Sequence, residues 1–450
     1  MRTPLALALV CVFGTWTGAL AAAASATTRA AGSPTPFAAS EWWLTAIGAA
    51  GLDPPGPGKP VTVIDSGVDV THPEFAGRAN LEILNTQSTD ARNEDHGTEV
   101  ASIIGAPGAG MIGVYPQAVL RVWDASPGQS IITSEAILGL QSAAAAGPGV
   151  INLSWGSTGR DPGLEQAIDG DVRAGLVVVA AAGNDRANGS PVVYPASLPH
   201  VLTVGGTDEQ GRITDFSSAS PGMDLLAPGQ DIAVADPVSF GGYTLADGTS
   251  FSAPIVAGAA AWLWTARPDL DASQITELLR RTATDVAPPG WDPDSGFGRL
   301  DLQAALAAPA PQPDPQEPNE DIRFVRPNAV FQAGEPTLTS PVSSHTMLAG
   351  RLDGVDDPRD VYRLWIPARG TVRVAARADD GAPLATSLWG PRTSSVGETG
   401  ASRRRDLLAR GPGTATTRGG KAGSIGYVAL EVVPGRRISY TLSVKTAAAP

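Results

Sequence analysis

The stretch Val61-Thr-Val-Ile64, followed directly by Asp65-Ser-Gly67, decides the fold class of this 450-residue chain. Its four β-branched residues, bounded by Pro60 and by a turn sequence, predict a short buried strand that ends at Asp65. Comparable apolar runs follow farther along the chain, at Val150–Leu153, Leu176–Ala180 and Val201–Val204.

Helical patterns separate these runs at Ser134–Ala146 and Leu164–Ala174, and an Ala-rich pattern covers Ser252–Ala266. Near the N-terminus, Ser40 precedes Glu41-Trp-Trp-Leu44, which predicts an N-capped amphipathic helix. Strands that alternate with helices predict an α/β domain, in which helices cover both faces of a central parallel sheet.

The pattern changes after a Pro-rich stretch at residues 308–318, which predicts an extended, semi-rigid linker. Beyond it, residues alternate between apolar and polar at Asp360–Ile366, Thr371–Ala375 and Ser439–Val444, as half-buried antiparallel strands do. We therefore expect a smaller all-β sandwich domain over residues 319–447. The polar, Gly-rich stretch Gly390–Gly423, which contains Arg403-Arg-Arg405, predicts a solvated loop.

The N-terminus has the pattern of a secretory signal peptide over residues 1–26. Met1-Arg2 supplies a short positive region, Leu5–Leu20 is mostly apolar, and Ala24-Ser-Ala26 offers small residues at a cleavage site. A second apolar run of membrane-spanning length does not occur in the sequence. We therefore expect an exported, extracellular chain with no membrane span after cleavage.

Composition narrows the range of partners. The chain has 32 Lys and Arg against 45 Asp and Glu, a net charge of −13, so nucleic-acid binding through a basic surface is disfavoured. The single cysteine, Cys11, lies inside the predicted leader, which leaves no disulfide and no cysteine-ligated zinc site in the mature chain. Four scattered histidines without His-Glu-x-x-His spacing also disfavour a metal-dependent hydrolase.

Four positions carry residue types suited to acyl transfer, which needs a nucleophile, a base, a group that orients the base and donors for the oxyanion. His96 opens an apolar-periodic helix, Asp65 ends a strand, Ser250 precedes the Ala-rich helix, and Asn184 follows the most apolar strand. Taken singly, each has an ordinary structural interpretation: a helix start, turn residues or a helix cap. His72, His200 and His345 are interpreted as structural or surface residues.

Taken together, the segments around these positions resemble the signatures of the subtilisin-like serine proteases, in that family's order of Asp, His and Ser. They are Val63-Ile-Asp65-Ser-Gly-Val-Asp69, Asp95-His96-Gly-Thr-Glu-Val-Ala-Ser102, Ala181-Ala-Gly-Asn184 and Gly248-Thr-Ser250-Phe-Ser-Ala-Pro254. The resemblance implies a subtilisin-like three-layer peptidase domain, placed at residues 37–307, that acts on polypeptide substrates.

The resemblance also implies roles for individual residues. Ser250 would be the nucleophile, His96 the general base, Asp65 the group that fixes the imidazole tautomer, and Asn184 an oxyanion donor beside the Ser250 N–H. The pocket for the residue before the scissile bond would lie between two backbone edges with Val193 at its floor. These edges are Ser154-Trp155-Gly156 and Ala181-Ala182-Gly183.

Departures from the family pattern leave these catalytic positions intact. Glu99 and Ile255 stand where members of the family carry histidines. The loop Gly105–Gly113 offers no side-chain oxygen, so the family's strong calcium site is expected to be absent and no cofactor is expected to be required, although other calcium sites remain open. The short interval before the first strand is not expected to hold a folded pro-domain.

The tail resembles, more weakly, the bacterial pre-peptidase C-terminal domain, through Glu317-Pro-Asn-Glu320 and Asp360-Val-Tyr362. Its carboxylates Asp353, Asp356, Asp357 and Asp360 could ligate calcium, but a solvated acidic turn is the preferred interpretation. For the whole chain, the alternative to a secreted serine endopeptidase is a catalytically silent protein that keeps the fold as a binding or scaffold module. The oligomeric state is left open.

Overall fold

The computed structural model describes residues 41–87, 95–127, 130–286, 288–396 and 406–449. The chain forms two compact units that divide between Ala310 and Pro311. The predicted leader at residues 1–26 and the three arginines at 403–405 lie outside the described residues. None of the helices in the described ranges has the length and hydropathy that a bilayer span requires.

A seven-stranded parallel sheet forms the centre of the first unit, in the order β2-β3-β1-β4-β5-β6-β7. Its strands are β1 (Pro60–Asp65), β2 (Leu81–Ile83), β3 (Val119–Asp124), β4 (Val150–Leu153), β5 (Val177–Ala181), β6 (Val201–Thr207) and β7 (Met223–Pro228). A separate antiparallel pair, β8 (Ile232–Ala235) and β9 (Tyr243–Ala246), follows.

Helices cover both faces of this sheet, which confirms the predicted three-layer α/β fold. The helices of the unit are α1 (Trp42–Ala46), α2 (Asp95–Gly105), α3 (Thr133–Ala146), α4 (Pro162–Arg173), α5 (Thr249–Ala266), α6 (Ala272–Arg281) and α7 (Leu302–Ala307). The larger core packs α2 and α5 against one face, and a second core packs α3 and α4 against the other.

Helix α5 is buried almost all round because its sequence is built from small and apolar residues. After Ser250, every residue of the helix is buried except the last two. Helix α1 begins after Glu41, whose own side chain makes no capping hydrogen bond, and Ser40, the predicted cap, lies outside the described residues. The Glu41 carboxylate instead accepts a hydrogen bond from the N–H of Ile112 at 2.6 Å.

The second unit is an antiparallel β-sandwich of two four-stranded sheets, ordered β10-β17-β12-β15 and β11-β16-β13-β14, as the sequence predicted. After a short helix α8 (Ile322–Val325), the strands are β10 (His345–Asp353), β11 (Arg359–Ile366), β12 (Thr371–Ala378), β13 (Ala385–Trp389), β14 (Leu407–Pro412), β15 (Thr414–Arg418), β16 (Ser424–Glu431) and β17 (Arg437–Ala447). Apolar side chains from both sheets, such as Leu364 and Val374, form the core between them.

One expectation for this unit is wrong. The stretch predicted as a solvated loop, 390–423, contains β14 and β15, which pair within the sheets and turn at Gly413 (φ +70°). Residues 311–318, within the predicted linker, group with the sandwich. The Arg351 N–H donates to Asp314 Oδ1 at 2.9 Å, which ties this segment to β10.

The loop between α2 and β3, residues 106–118, is organised around the buried carboxylate of Glu74. The N–H groups of Gly108 and Ala109 donate to Glu74 Oε2 at 3.3 and 3.1 Å, and those of Gly110 and Met111 donate to Oε1 at 2.5 and 3.0 Å. Four backbone donors of the loop thus point inward to one carboxylate.

We expect Glu74→Ala to lower the free energy of unfolding of the first unit by about 3 kcal/mol, because it leaves several buried N–H groups without their charged acceptor. Urea unfolding of the full chain measures this loss. Glu82→Ala is the matched control: its carboxylate is more than half exposed and pairs with Arg121, so about 0.5 kcal/mol is expected. Equal losses in the two variants would contradict a supporting role for Glu74.

Candidate active site

A buried carboxylate at the end of β1 holds an imidazole at the start of α2. Asp65 Oδ1 lies 2.8 Å from His96 Nδ1 and accepts a further hydrogen bond from the Ser66 N–H at 2.8 Å. The side chain of Asp65 is fully buried, and that of His96 is 12% exposed. A carboxylate in this position makes Nδ1 the protonated nitrogen and leaves Nε2 as the basic atom of the neutral ring.

Acidic groups around His96 favour its protonated form. Burial alone would lower the pKa of His96, but the charge and hydrogen bond of Asp65, with further attraction from Glu99 and Asp95, raise it to about 9. Glu99 lies three residues after His96 on α2. Burial, with repulsion from Asp236 and Asp95, raises the pKa of Glu99 to about 7 against the attraction of His96.

Ser250 is the second residue of α5, so its N–H belongs to the first turn, which has no acceptor within the helix. Its hydroxyl donates to the Ser154 carbonyl oxygen at 3.0 Å, and the Ser154 hydroxyl donates back to the Ser250 carbonyl oxygen at 2.7 Å. The ring of Phe251, the next residue, lies 5.8 Å from that of His96, centroid to centroid. These contacts bring α2, β4 and the start of α5 together.

Asn184 lies just beyond the end of β5 with its amide held in one orientation. Its Oδ1 accepts hydrogen bonds from the N–H of Thr249 at 2.9 Å and from the Thr249 hydroxyl at 3.0 Å. The Nδ2 group is therefore turned away from Thr249 and is the donor that this side chain can offer. Gly248, with φ +150°, allows the close approach, since a Cβ there would lie 3.2 Å from Nδ2.

The two predicted backbone edges flank the side chain of Val193. A Cβ added to Gly156 would lie 2.4 Å from Val193 Cγ1, and one added to Gly183 would lie 3.1 Å from Cγ2. Val193 is 7% exposed, and Ala181 is buried in the larger core. Val193 therefore fills the space between Gly156 and Gly183.

Trp155 contributes its backbone alone to this region. Its indole Nε1–H donates to the Ile64 carbonyl oxygen at 2.7 Å, and its ring is buried in the core beneath the sheet. The methyl groups of Val193, and not the Trp155 ring, lie between the two edges.

Some residues that hold the site or its surroundings in place were not singled out from the sequence. Thr249 lies inside the quoted Gly-Thr-Ser segment, but its hold on Asn184 depends on the approach of β5 to α5. Glu74, which precedes a Phe in a loop, has no local signal for the four amide contacts that it makes. His72 is buried and lies 2.6 Å from the Gly242 carbonyl oxygen through Nε2, which agrees with a structural role.

Comparisons of the sequence with known proteins all match one family. The model of the "Subtilase family" matches residues 56–298, just over half of the chain. Subtilisin BL from Lederbergia lenta is 36% identical over 255 residues, which cover 56% of this chain and 91% of that protein. Fervidolysin from Fervidobacterium pennivorans is 32% identical over 335 residues, 66% of this chain and 47% of that protein.

Solved structures agree with these sequence matches. A cold adapted subtilisin-like serine proteinase is 31% identical with a TM-score of 0.50, over 58% of this chain and 97% of that one. Sphericase is 26% identical with a TM-score of 0.51, over 58% and 98%. The chain spans between about half and two thirds of the full length of several curated relatives. It contains the family's domain with its strands and helices in place, and it belongs to the subtilase family.

Proposed function

We propose that this chain is a secreted serine endopeptidase that cleaves polypeptides through Ser250, His96 and Asp65. The observation that carries the proposal is the 2.8 Å contact between His96 Nδ1 and the buried Asp65, with the His96 ring packed beside the residue that follows Ser250. Export is supported by the signal-peptide pattern of residues 1–26.

In the acylation step, Ser250 Oγ attacks the scissile carbonyl carbon while His96 Nε2 takes the hydroxyl proton. The hydroxyl hydrogen must first turn from the Ser154 carbonyl oxygen, its present acceptor, towards Nε2. Asp65 keeps Nδ1 protonated and stabilises the imidazolium that forms. His96 then returns the proton to the leaving amine, and water repeats the sequence in deacylation.

The negative charge that develops on the carbonyl oxygen is stabilised by two donors in this proposal. One is Asn184 Nδ2, whose orientation is fixed by the two contacts of Oδ1 with Thr249. The other is the Ser250 N–H, at the positive end of the α5 dipole. Both are held before substrate arrives, so little reorganisation accompanies the reaction.

Val193 is proposed to restrict the residue before the cut to small or medium uncharged side chains. Its two methyl groups occupy the space between Gly156 and Gly183, where a larger substrate side chain would have to enter. An apolar pocket discriminates by about 1–3 kcal/mol per methylene of mismatch, so we expect a preference and not an absolute rule.

A serine-directed phosphonate probe tests the reaction class. We expect stoichiometric labelling of the wild-type chain at Ser250 and none of Ser250→Ala, because only an activated serine reacts at a useful rate. Ser252→Ala, two residues farther along α5, is the control and should label normally. A folded wild-type chain that does not label would favour the silent binding or scaffold alternative.

The pH dependence of kcat/KM tests the acidic surroundings of His96. The base form is required, so activity should rise with pH and reach half its plateau well above the ordinary histidine pKa of about 6.5. Glu99→Gln removes a negative charge that favours the imidazolium, so its profile should move to lower pH. Glu209→Gln, at an exposed position, should leave the midpoint unchanged. An unmoved midpoint in Glu99→Gln would contradict this electrostatic role.

Cleavage of a peptide library tests the pocket. Val193→Gly should raise kcat/KM for Phe relative to Ala before the cut by about tenfold or more, because it removes both methyl groups from the pocket. Val192→Gly is the matched control, since the adjacent valine is 43% exposed, and its preference should equal that of the wild type. The same Phe-to-Ala ratio in Val193→Gly and wild type would show that Val193 does not limit the pocket.

A further inference from the structure

Charge is distributed unevenly between the two units of the chain. Residues 1–310 carry 14 Lys and Arg against 31 Asp and Glu, whereas residues 311–450 carry 18 against 14. The negative net charge of the chain therefore comes from the first unit alone, and the second unit has an excess of cations. A charge asymmetry of this kind is typical of a chain with one part that binds a charged partner.

Several cations of the second unit lie on the outer side of the sheet β10-β17-β12-β15. Arg373 on β12, Lys445 on β17 and Arg418 on β15 are exposed, and the residues next to them in each strand are more buried. Successive side chains of a strand point to opposite faces of the sheet, so these three point away from the core. We call this surface the basic face; it also includes Arg369 and Lys421, exposed in the adjoining turns.

The register of the strands places these cations close together. Arg373 lies directly opposite Lys445 on the neighbouring strand, so their Cβ atoms are about 5 Å apart. Arg418 is the diagonal neighbour of Arg373 on the other side, at about 7–8 Å. The Arg369 N–H donates to the Gly420 carbonyl oxygen at 2.7 Å, which brings the two adjoining turns to the same end of the sheet.

The cations of the basic face are not neutralised by the protein. Within the described part of the chain, none of the five forms an ion pair. The segments 361–378, 407–430 and 432–449, which supply all five, contain no Asp or Glu. Like charges directly opposite each other destabilise a sheet, so the pair of Arg373 and Lys445 opposes folding. Proteins retain such local conflicts mainly where function requires them.

The carboxylates of the second unit lie away from the basic face. Asp353 has its own arginine partner at 2.8 Å, and Asp379, after the end of β12, is about 20 Å from Arg373 along the strand. Asp360 is fully buried and Asp357 is 7% exposed, so the expectation of a solvated acidic turn is wrong. These acids therefore leave the positive charge of the basic face uncompensated.

The side chains between the cations favour one class of anionic partner. Short hydroxyl residues such as Thr371, Thr416 and Ser443 share the outer side of the sheet, and Met347 is the only large apolar side chain exposed on these four strands. Their outward positions hold no Phe, Trp or Tyr. Single-stranded nucleic acids are bound by aromatic stacking, and membrane surfaces by inserted apolar and aromatic side chains. Cations among hydroxyls instead suit a sugar polymer, which offers both anionic groups and hydroxyls.

We propose that the basic face binds a linear anionic polysaccharide. Arg373, Arg418 and Lys445 donate charge-assisted hydrogen bonds to its carboxylate or sulfate groups, and the neighbouring Thr and Ser hydroxyls bond to the sugar hydroxyls. The second unit thereby attaches the chain to an acidic polymer surface. Binding at this face does not depend on peptidase activity.

The test measures binding of the full chain to three soluble polymers, with Ser250→Ala as the parent so that autolysis cannot remove the second unit. Polygalacturonate supplies carboxylates, dextran sulfate supplies sulfates, and dextran is the neutral reference. We expect at least one anionic polymer to bind and dextran not to bind. Raising NaCl from about 50 to about 500 mM should weaken binding by about tenfold or more, because salt screens exposed charges. The polymer that binds more tightly identifies the anionic group.

Variants locate the site. The double variant Arg373→Gln/Lys445→Gln should raise the Kd by about tenfold or more, because two charge-assisted contacts are lost. Arg418→Gln should weaken binding as well. The matched control is Arg392→Gln/Arg410→Gln, which removes the same charge from two exposed positions of the sandwich outside the basic face and should bind as the parent does.

Urea unfolding separates lost binding from lost folding. Arg373→Gln/Lys445→Gln should unfold at the same or a higher urea concentration than the parent, because it removes the repulsion between opposite cations. The proposal is overturned if neither anionic polymer binds or if the two double variants lose affinity equally. It is also overturned if duplex DNA or phosphatidylglycerol vesicles bind more tightly than either polysaccharide, since the partner would then be a nucleic acid or a membrane.

Discussion

The hydrogen bond between Asp65 and His96 is the contact on which the rest of the first unit's site depends. Asp65 lies at the end of a central strand, flanked by β3 and β4, and its side chain is fully buried. A buried carboxylate is tolerated only with good partners. Helix α2 must therefore begin within reach of β1, and Gly97 permits this because a Cβ there would lie 2.0 Å from the Gly67 carbonyl oxygen.

The geometry of a parallel sheet brings the other residues of the site close to Asp65 and His96. The carboxyl ends of β1, β4 and β5 share one edge, and Asp65, Ser154 and Asn184 lie at or just after these ends. Helix α5 packs against the face of this sheet opposite α3 and α4, and its N-terminus delivers Ser250 to that edge. Its nearly all-round apolar surface fixes the position of Ser250, because the helix is enclosed by packing along most of its length.

The sequence predicted some strands of the fold and missed others, and the difference follows from which of their residues are buried. β4 was predicted with its observed bounds because a strand buried on both faces gives an unbroken apolar run. β3 was missed because Arg121 interrupts its apolar run, and β7 because it carries Asp224, whose charge is balanced by Arg280 at 2.7 Å from a distant helix. β14 and β15 were missed because Ala415 is their only buried residue. Contacts between distant segments, such as those of Glu74, leave no local pattern.

The first unit resolves the cost of its buried carboxylates in different ways. Asp65 has an imidazole, Glu74 has backbone amides, and Asp224 has an arginine. Asp171 is buried with both oxygens unpartnered among the described residues, and burial raises its pKa to about 8. A lone acid can thus avoid its charge near neutral pH by keeping one proton.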